Sequence, residues 1–213
     1  MAFLAQGIKV NIQSNTANTT NITGVSNASE AVVECVAAPF AVNDVVVIES
    51  IVGLPKLNNM VARVKAKTAA NVTLESVNST DYGTYVSGGT IKKVSQWVPF
   101  DNITNFSFPE PQPNRQQILT IHDEQATELF GADSAPAVTF DIYSDAFNAA
   151  VVEARKASED KTTRAFEVIL KNGNKLYMNA QVAGGRGLSA SAGQAATGQV
   201  SLAMQSKENW YQS

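Results

Sequence analysis

Short stretches of alternating apolar and polar residues run through most of this chain and predict a protein built mainly from β-strands. In the first stretch, polar residues separate Ile8, Val10 and Ile12, which is typical of a strand with one buried face. Residues 14–21 are almost all Ser, Asn and Thr, a composition that indicates a linker. The chain is therefore expected to begin with one strand and a polar connection.

Between residues 21 and 95, strand-like stretches recur at roughly ten-residue spacing with turn residues between them, as in small all-β modules. We predict strands at 31–36, 45–50, 61–65, 72–76 and 90–94. We therefore expect residues 21–95 to be a small all-β domain, inserted into a larger β-domain made of residues 1–20 and 96–213. Such an insertion is tolerated because the two ends of a module often lie close together.

Three prolines mark the region after the predicted insert. Pro109, Pro111 and Pro113 occupy every second position, which excludes a helix and any central strand of a sheet. Apart from a short strand at 118–121, we expect residues 108–134 to be a long loop. Loops of this length are usually either functional or disordered.

One helix is predicted, over residues 145–158, directly after a strand at 138–142. Its apolar side chains recur at i, i+3, i+4 and i+7 and so form one face. They are Phe147, Ala150, Val151 and Ala154. Ser144 or Asp145 is expected to cap the first turn of this helix.

The C-terminal third contains a hairpin signal. Asn172-Gly173 lies between two strand-like runs, and this dipeptide favours a two-residue turn that would place Val168 opposite Tyr177. Both faces of the predicted hairpin carry apolar side chains, so we expect it to be covered on both sides. After a Gly-, Ser- and Ala-rich connection, a last strand is predicted at 199–204.

Composition and charge narrow the range of functions. The chain has 213 residues, 44% of them hydrophobic, which is enough to bury a core. Only 16% are charged, below the roughly 25% of an average domain, which suits neutral surfaces hidden in an assembly. The formal net charge is −3, and the sequence shows no stripe of clustered basic residues, so we do not expect a DNA-binding surface. Neither a signal peptide nor an apolar run of about 20 residues is evident, so we expect a soluble, cytoplasmically made protein.

The residues that could carry chemistry do not form a recognisable site. His122 is the only histidine, and its neighbours Asp123 and Glu124 would point to alternating sides of a strand. The single cysteine, Cys35, belongs to the other predicted domain, so ligands for a zinc site are lacking. No nucleophile motif accompanies the histidine. We therefore expect no catalytic residues, no metal and no cofactor, and we do not expect an enzyme.

The C-terminal run from Ser144 resembles the tail tube proteins of long-tailed, non-contractile (siphovirus-type) bacteriophages. The resemblance covers about seventy residues, from the predicted helix to the last strand. Three short motifs in this order carry it: Arg164-Ala165-Phe166, Asn172-Gly173 and Gly198-Gln199-Val200-Ser201-Leu202.

The predicted insert is similar to a small β-barrel module, the first catalytic cysteine half-domain of ubiquitin-activating enzymes, which recurs in phage tail proteins. The matching stretches are Asn43-Asp44-Val45-Val46-Val47-Ile48, residues 52–59, Val72-Thr73-Leu74 and residues 85–90. The sequence departs from the module's pattern at Pro55 and Asn59, which lie in a turn. Ubiquitin chemistry is not implied, because fold does not fix function.

The phage resemblance implies a mainly β tail-tube sandwich or barrel with one helix, assembled into stacked hexameric rings around a lumen for DNA. Sheets would join edge to edge, through strands that include Arg164, Phe166, Val168, Tyr177, Asn179, Gln181, Val200 and Leu202. The loop at 108–134 is the candidate contact between rings, with Phe108, Pro109, Pro111, Pro113, Arg115, His122, Asp123, Leu129 and Phe130. A disordered surface loop is the alternative for this segment.

The resemblance also implies partners and a location. The protein would contact further copies of itself, the tail tip, terminator and tape measure proteins, and DNA in transit, but no membrane. It would reside in the virion tail after assembly in the host cytoplasm, with the inserted barrel on the outer wall. One alternative is a tube subunit of a bacterial tail-like injection system, although an outer decoration would clash with a sheath. A small hydrolase that uses His122 is the other alternative.

Overall fold

A computed structural model describes residues 7–118, 125, 127–134, 136–145, 147–185 and 187–213. It is mainly β, with 55% strand and 8% helix, which confirms the predicted fold class. In the part of the chain that is described, the strands are β1 (Lys9–Val25), β2 (Val32–Cys35), β3 (Val45–Val52), β4 (Val61–Lys67), β5 (Asn71–Leu74), β6 (Ser87–Phe100), β7 (Ile103–Ser107), β8 (Pro113–Ile118), β9 (Thr127–Asp133), β10 (Ala137–Tyr143), β11 (Thr163–Ile169), β12 (Lys175–Gly184), β13 (Thr197–Met204) and β14 (Asn209–Tyr211). The helix α1 spans Ala149–Asp160, and a short 3-10 turn spans Pro55–Leu57.

One group of strands closes on itself. Among the described residues, hydrogen bonds run in the order β2, β5, β4, β3, β6 and β1, and β1 pairs again with β2. This six-membered circuit is a barrel, in which no strand edge is left unpaired. Its interior is filled by apolar side chains, among them Phe40, Ile48, Leu54, Val64 and Ile91. We call this part the barrel.

Most of the remaining strands form a curled sheet. It begins with the halves of β6 and β1 outside the barrel and continues through β11, β12, β13 and β10 to β7. Only Asp101 and Asn102 separate β6 from β7, although the two strands lie at opposite ends of this order. The sheet must therefore curl until its ends approach each other. The inner face packs on α1 and encloses a second core, with Ile12, Phe140, Phe166, Leu176 and Leu202.

Two strands run through both parts. The tract at 14–21, predicted as a linker, continues β1 and pairs with β6, for example Thr16 with Val94 and Thr20 with Ile91. The linker prediction is wrong because several of these side chains are exposed and the register shifts at bulges, so no regular alternation marks the strand. The barrel is consequently joined to the curled sheet by continuous strands.

The helix begins later than predicted. Asn148 caps it, because its side-chain oxygen accepts hydrogen bonds from the backbone N–H groups of Ala150 (3.0 Å) and Val151 (3.4 Å). The predicted cap residues, Ser144 and Asp145, precede this position. Phe147, assigned to the apolar face, is 93% exposed and lies before the first turn, whereas the other three predicted members of that face are buried.

The hairpin between β11 and β12 forms where it was predicted, but its register differs by one residue. Val168 lies opposite Leu176, not Tyr177. The reason is a three-residue loop that ends in Gly173 at φ +85°, closed by hydrogen bonds between Leu170 and Asn174 (2.9 Å) and from Gly173 to Leu170 (2.9 Å). Buried residues occupy both faces of the hairpin, as expected.

Candidate assembly surfaces

An antiparallel pair of strands stands apart from the rest of the fold. β8 and β9 pair with each other and, among the described residues, with no other strand. At their base, the backbone N–H and the hydroxyl of Ser134 donate to the Gln112 carbonyl at 2.9 and 3.0 Å. We call residues 112–134 the arm. The prediction of a loop is wrong for Pro113–Ile118 and Thr127–Asp133, because strands whose side chains are largely exposed on both faces show no alternating pattern. The predicted strand at 118–121 lies, beyond Ile118, outside the described residues.

The arm presents apolar side chains to solvent. Phe130 is 66% exposed, Leu129 51% and Ile118 44%. Arg115 lies opposite Phe130, with its guanidinium 5.5 Å from the ring centroid. The ion pair between Arg115 and Glu128 spans 3.6 Å and contributes little to stability, because both groups are exposed to solvent. Because an isolated two-stranded sheet is marginally stable in water, the arm needs a partner surface to become rigid.

The other residues predicted for the contact between rings lie in three different surroundings. Phe108 is half-buried against the core of the curled sheet, while Pro109 and Pro111 are exposed and irregular. Pro113 begins β8. His122 and Asp123 lie outside the described residues.

The predicted ring-sheet residues belong to interior strands of the curled sheet. Phe166, Val168, Val200 and Leu202 are buried in its core. Tyr177 and Asn179 are buried on the opposite face, whereas Arg164 and Gln181 are half-buried. Six of these eight side chains are therefore buried within the subunit, and Arg164 and Gln181 are partly exposed.

Unpaired strand edges lie elsewhere. In the described part of the chain, β7 is bonded only to β10, and residues 94–100 of β6 are bonded only to β1. Pro99 lies in this stretch of β6, a residue that edge strands tolerate. Sequence reasoning missed these edges because pairing order depends on contacts distant along the chain. They are the positions at which strands of a neighbouring subunit could add.

A third feature joins the barrel to the curled sheet at the C-terminus. The Tyr211 hydroxyl accepts from the Arg63 backbone N–H (3.1 Å) and donates to the Glu75 carbonyl (3.2 Å). The Arg63 guanidinium lies 4.7 Å from the Tyr211 ring centroid and donates to the Glu75 carboxylate at 2.8 Å. Asn209 donates to the Val61 carbonyl at 2.6 Å. We call this set of contacts the clasp.

The Tyr211 side chain of the clasp is shielded from water. Tyr211 is 3% exposed and stacks at a tilt on Tyr177, with 5.6 Å between ring centroids. Burial raises the pKa of Tyr211 to about 12, and the hydrogen bond from Arg63 lowers the pKa of Glu75. One hint of the clasp is visible in the sequence, since Trp210 and Tyr211 are the aromatic residues of an otherwise polar tail.

A buried carboxylate ties three strands of the curled sheet together. Glu167 on β11 is 5% exposed and accepts hydrogen bonds from Asn11 (2.7 Å), Tyr177 (2.9 Å) and Lys175 (3.0 Å). Burial is the largest cause that raises the pKa of Tyr177, and the negative charge of the neighbouring Glu167 raises that pKa further. The carboxylate is paired and hydrogen-bonded, so the cluster is a structural crosslink between β1, β11 and β12.

The described residues offer neither a metal-binding cluster nor a membrane-spanning helix. No group of three or more His, Cys, Asp and Glu side chains there could hold a metal ion. None of the helical structure described is long and apolar enough to cross a membrane.

The comparison with protein families identifies the chain. Residues 52–213 match the family model described as phage tail tube protein, TTP, which covers well over half of the sequence. The match starts at the end of β3 and so includes the arm, the clasp and both open edges. No curated protein matches the chain. This family consists of structural proteins of the virion tail, not enzymes, and its members self-assemble with other tail proteins. The chain belongs to the phage tail tube protein family.

Proposed function

We propose that this protein forms stacked hexameric rings that make the hollow tail tube of a long-tailed, non-contractile phage, through which double-stranded DNA passes into the host. The observation that carries the proposal is the arm, which exposes Phe130 and Leu129 and pairs with no other strand described in its own subunit. In a family whose members self-assemble, an arm of this kind fits a contact with the next ring.

Closure of each ring would use the open edges. β7 and residues 94–100 of β6 offer unpaired backbone N–H and C=O groups to neighbouring subunits. Pairing of six subunits into one sheet removes edges that would otherwise favour aggregation. The formal net charge of −3 suits a conduit, because a wall rich in Lys and Arg would retain DNA by counterion release.

We further propose that residues 21–95 are an inserted module, similar to the first catalytic cysteine half-domain, carried on the outer wall. The closed circuit of the barrel and its separate apolar core support this division. The continuous strands β1 and β6 and the clasp hold the module to the curled sheet. If this division is right, weakening the clasp should give the barrel a thermal unfolding transition separate from that of the curled sheet.

The stacking role of the arm is tested by removing it. Residues 113–133 are replaced by a short Gly-Ser linker, which the adjacent backbones of Gln112 and Ser134 allow. We expect a folded subunit with a nearly unchanged melting temperature that no longer forms tubes, because the arm adds little to its own subunit. Circular dichroism and negative-stain electron microscopy measure both properties. Tubes of normal length from this variant would refute the role given to the arm.

A further inference from the structure

A pocket opens between α1, the carboxyl end of β10 and the connection that follows β12. Its volume is about 220 Å³. Ile142, Val151 and Leu188 form the apolar part of its wall, and Asp145 and Arg155 add one charge of each sign. Three glycines in the same wall contribute no side chains that could fill the space. For comparison, an apolar cavity of about 150 Å³ is large enough to hold a benzene ring.

Apolar side chains at this pocket face solvent. Leu188 in its wall is 66% exposed. Phe147, whose backbone N–H donates to the wall residue Asp145 at 3.1 Å, is 93% exposed. The guanidinium of Arg155 makes one hydrogen bond to the described residues, a long one of 3.4 Å to the Gly185 carbonyl. Exposed apolar side chains beside a charged pocket indicate an interaction surface.

The arm and this pocket lie at opposite ends of β10. The arm ends at Ser134, just before β10 begins at Ala137, whereas Ile142 in the pocket wall is near the other end of the strand. The first and last residues of β10 are about 20 Å apart at the usual rise per strand residue. Two different surfaces at opposite ends of a subunit permit a head-to-tail contact, which repeats from copy to copy.

One face of the arm complements the pocket. Phe130 lies directly opposite Arg115, and Glu128 lies two residues before Phe130, so all three side chains are on the same face. This face offers an exposed ring with one cation and one anion beside it. The two charges hold each other weakly, since their ion pair spans 3.6 Å between exposed groups. Both are therefore available to partners in another subunit.

We propose that this pocket receives the arm of a second copy of the chain. The ring of Phe130 fills the apolar part of the pocket. Glu128 of that arm pairs with Arg155, and Arg115, on the other strand of the arm, pairs with Asp145. Opposite charges on the two sides of the ring fix the register in which the arm enters. This docking rests on the stacking role proposed above and identifies the surface at which it takes place.

Charge reversal tests the pairing. Glu128→Arg and Arg155→Glu each place like charges against each other, so either change alone should raise the protein concentration needed for tube formation at least about tenfold. The double variant should return it to within about threefold of the unmodified protein, because opposite charges meet again. Arg115→Glu with Asp145→Arg gives a second swap, at exposed positions, if Arg155→Glu does not fold. Lys156→Glu, an exposed neighbour outside the pocket wall, is the matched control and should form tubes normally. Single reversals without effect, or a double variant that does not recover, would overturn the docking.

A mixing experiment separates this docking from ring formation. Asp145→Arg keeps an intact arm, and the variant that lacks residues 113–133 keeps an intact pocket. When mixed, the two should form a complex in sedimentation velocity that neither forms alone. This complex should not grow with concentration, because the arms of one variant occupy the pockets of the other and no further contact is possible. Sedimentation as the sum of the separate samples would refute the docking even if the unmodified protein forms tubes. The mixed complex would support the docking even if the unmodified protein forms no hexameric rings.

Discussion

Replacing Phe166 with alanine is expected to lower the free energy of unfolding by about 3–5 kcal/mol, the usual cost of removing a large buried aromatic side chain. Phe166 is fully buried between the curled sheet and α1. The loss combines the transfer of its ring from the core with the cavity that remains. Chemical denaturation followed by tryptophan fluorescence or circular dichroism measures this difference.

The same substitution at Phe130 is the matched control. This side chain is 66% exposed on the arm, so Phe130→Ala should change the stability of the subunit by no more than about 0.5 kcal/mol. It should nevertheless shorten or abolish tubes, because an exposed aromatic anchor is lost from the proposed contact between rings. A destabilisation equal to that of Phe166→Ala would mean that the arm packs on its own subunit. Normal tubes would mean that Phe130 makes no stacking contact.

Replacing Tyr211 with alanine is expected to cost about 3–5 kcal/mol as well, and to separate the barrel from the curled sheet. The side chain is buried against Tyr177, and its hydroxyl bonds to the backbone of Arg63 and Glu75 in the barrel. Its loss leaves a cavity and removes both hydrogen bonds. Differential scanning calorimetry should resolve a second transition, since the two cores would no longer unfold together.

Trp210→Ala provides the comparison for the clasp. Trp210 precedes Tyr211 on β14 but is 50% exposed, so its replacement should cost about 1 kcal/mol or less and leave a single transition. If both variants behave alike, the last strand is not what couples the barrel to the curled sheet. The proposal of an outward module held rigidly would then need another anchor.

The strands that carry buried apolar side chains were predictable from the chain. Val45–Val52 and Val61–Lys67 lie in the barrel where the spacing of apolar residues indicated strands. The strands Ala137–Tyr143 and Thr197–Met204 also lie where strands were predicted, because alternate side chains enter one core. The helix was also evident, although its first turn was placed too early.

Strands without a buried face could not be recognised. The polar part of β1 and residues 127–132 of β9 show no alternation, since their side chains are exposed or half-buried on both sides. Pairing order is equally hidden, because β7 becomes an edge only through its position at the end of a curled sheet. The apolar arm residues Leu129 and Phe130 were identified as candidates from the sequence, whereas the Tyr211 clasp was not.

The same limit applies to the register of the hairpin between β11 and β12. A three-residue loop that ends in Gly173 places Tyr177 opposite Glu167, and the resulting hydrogen bond depends on that one-residue difference.

The central claim is assembly into stacked rings, and negative-stain electron microscopy of the purified protein at rising concentration tests it most directly. We predict six-fold rings at low concentration that extend into hollow tubes as the concentration increases, with the barrel visible as a projection on the outer wall. A strictly monomeric particle at high concentration, even with tail tip components added, would contradict the account.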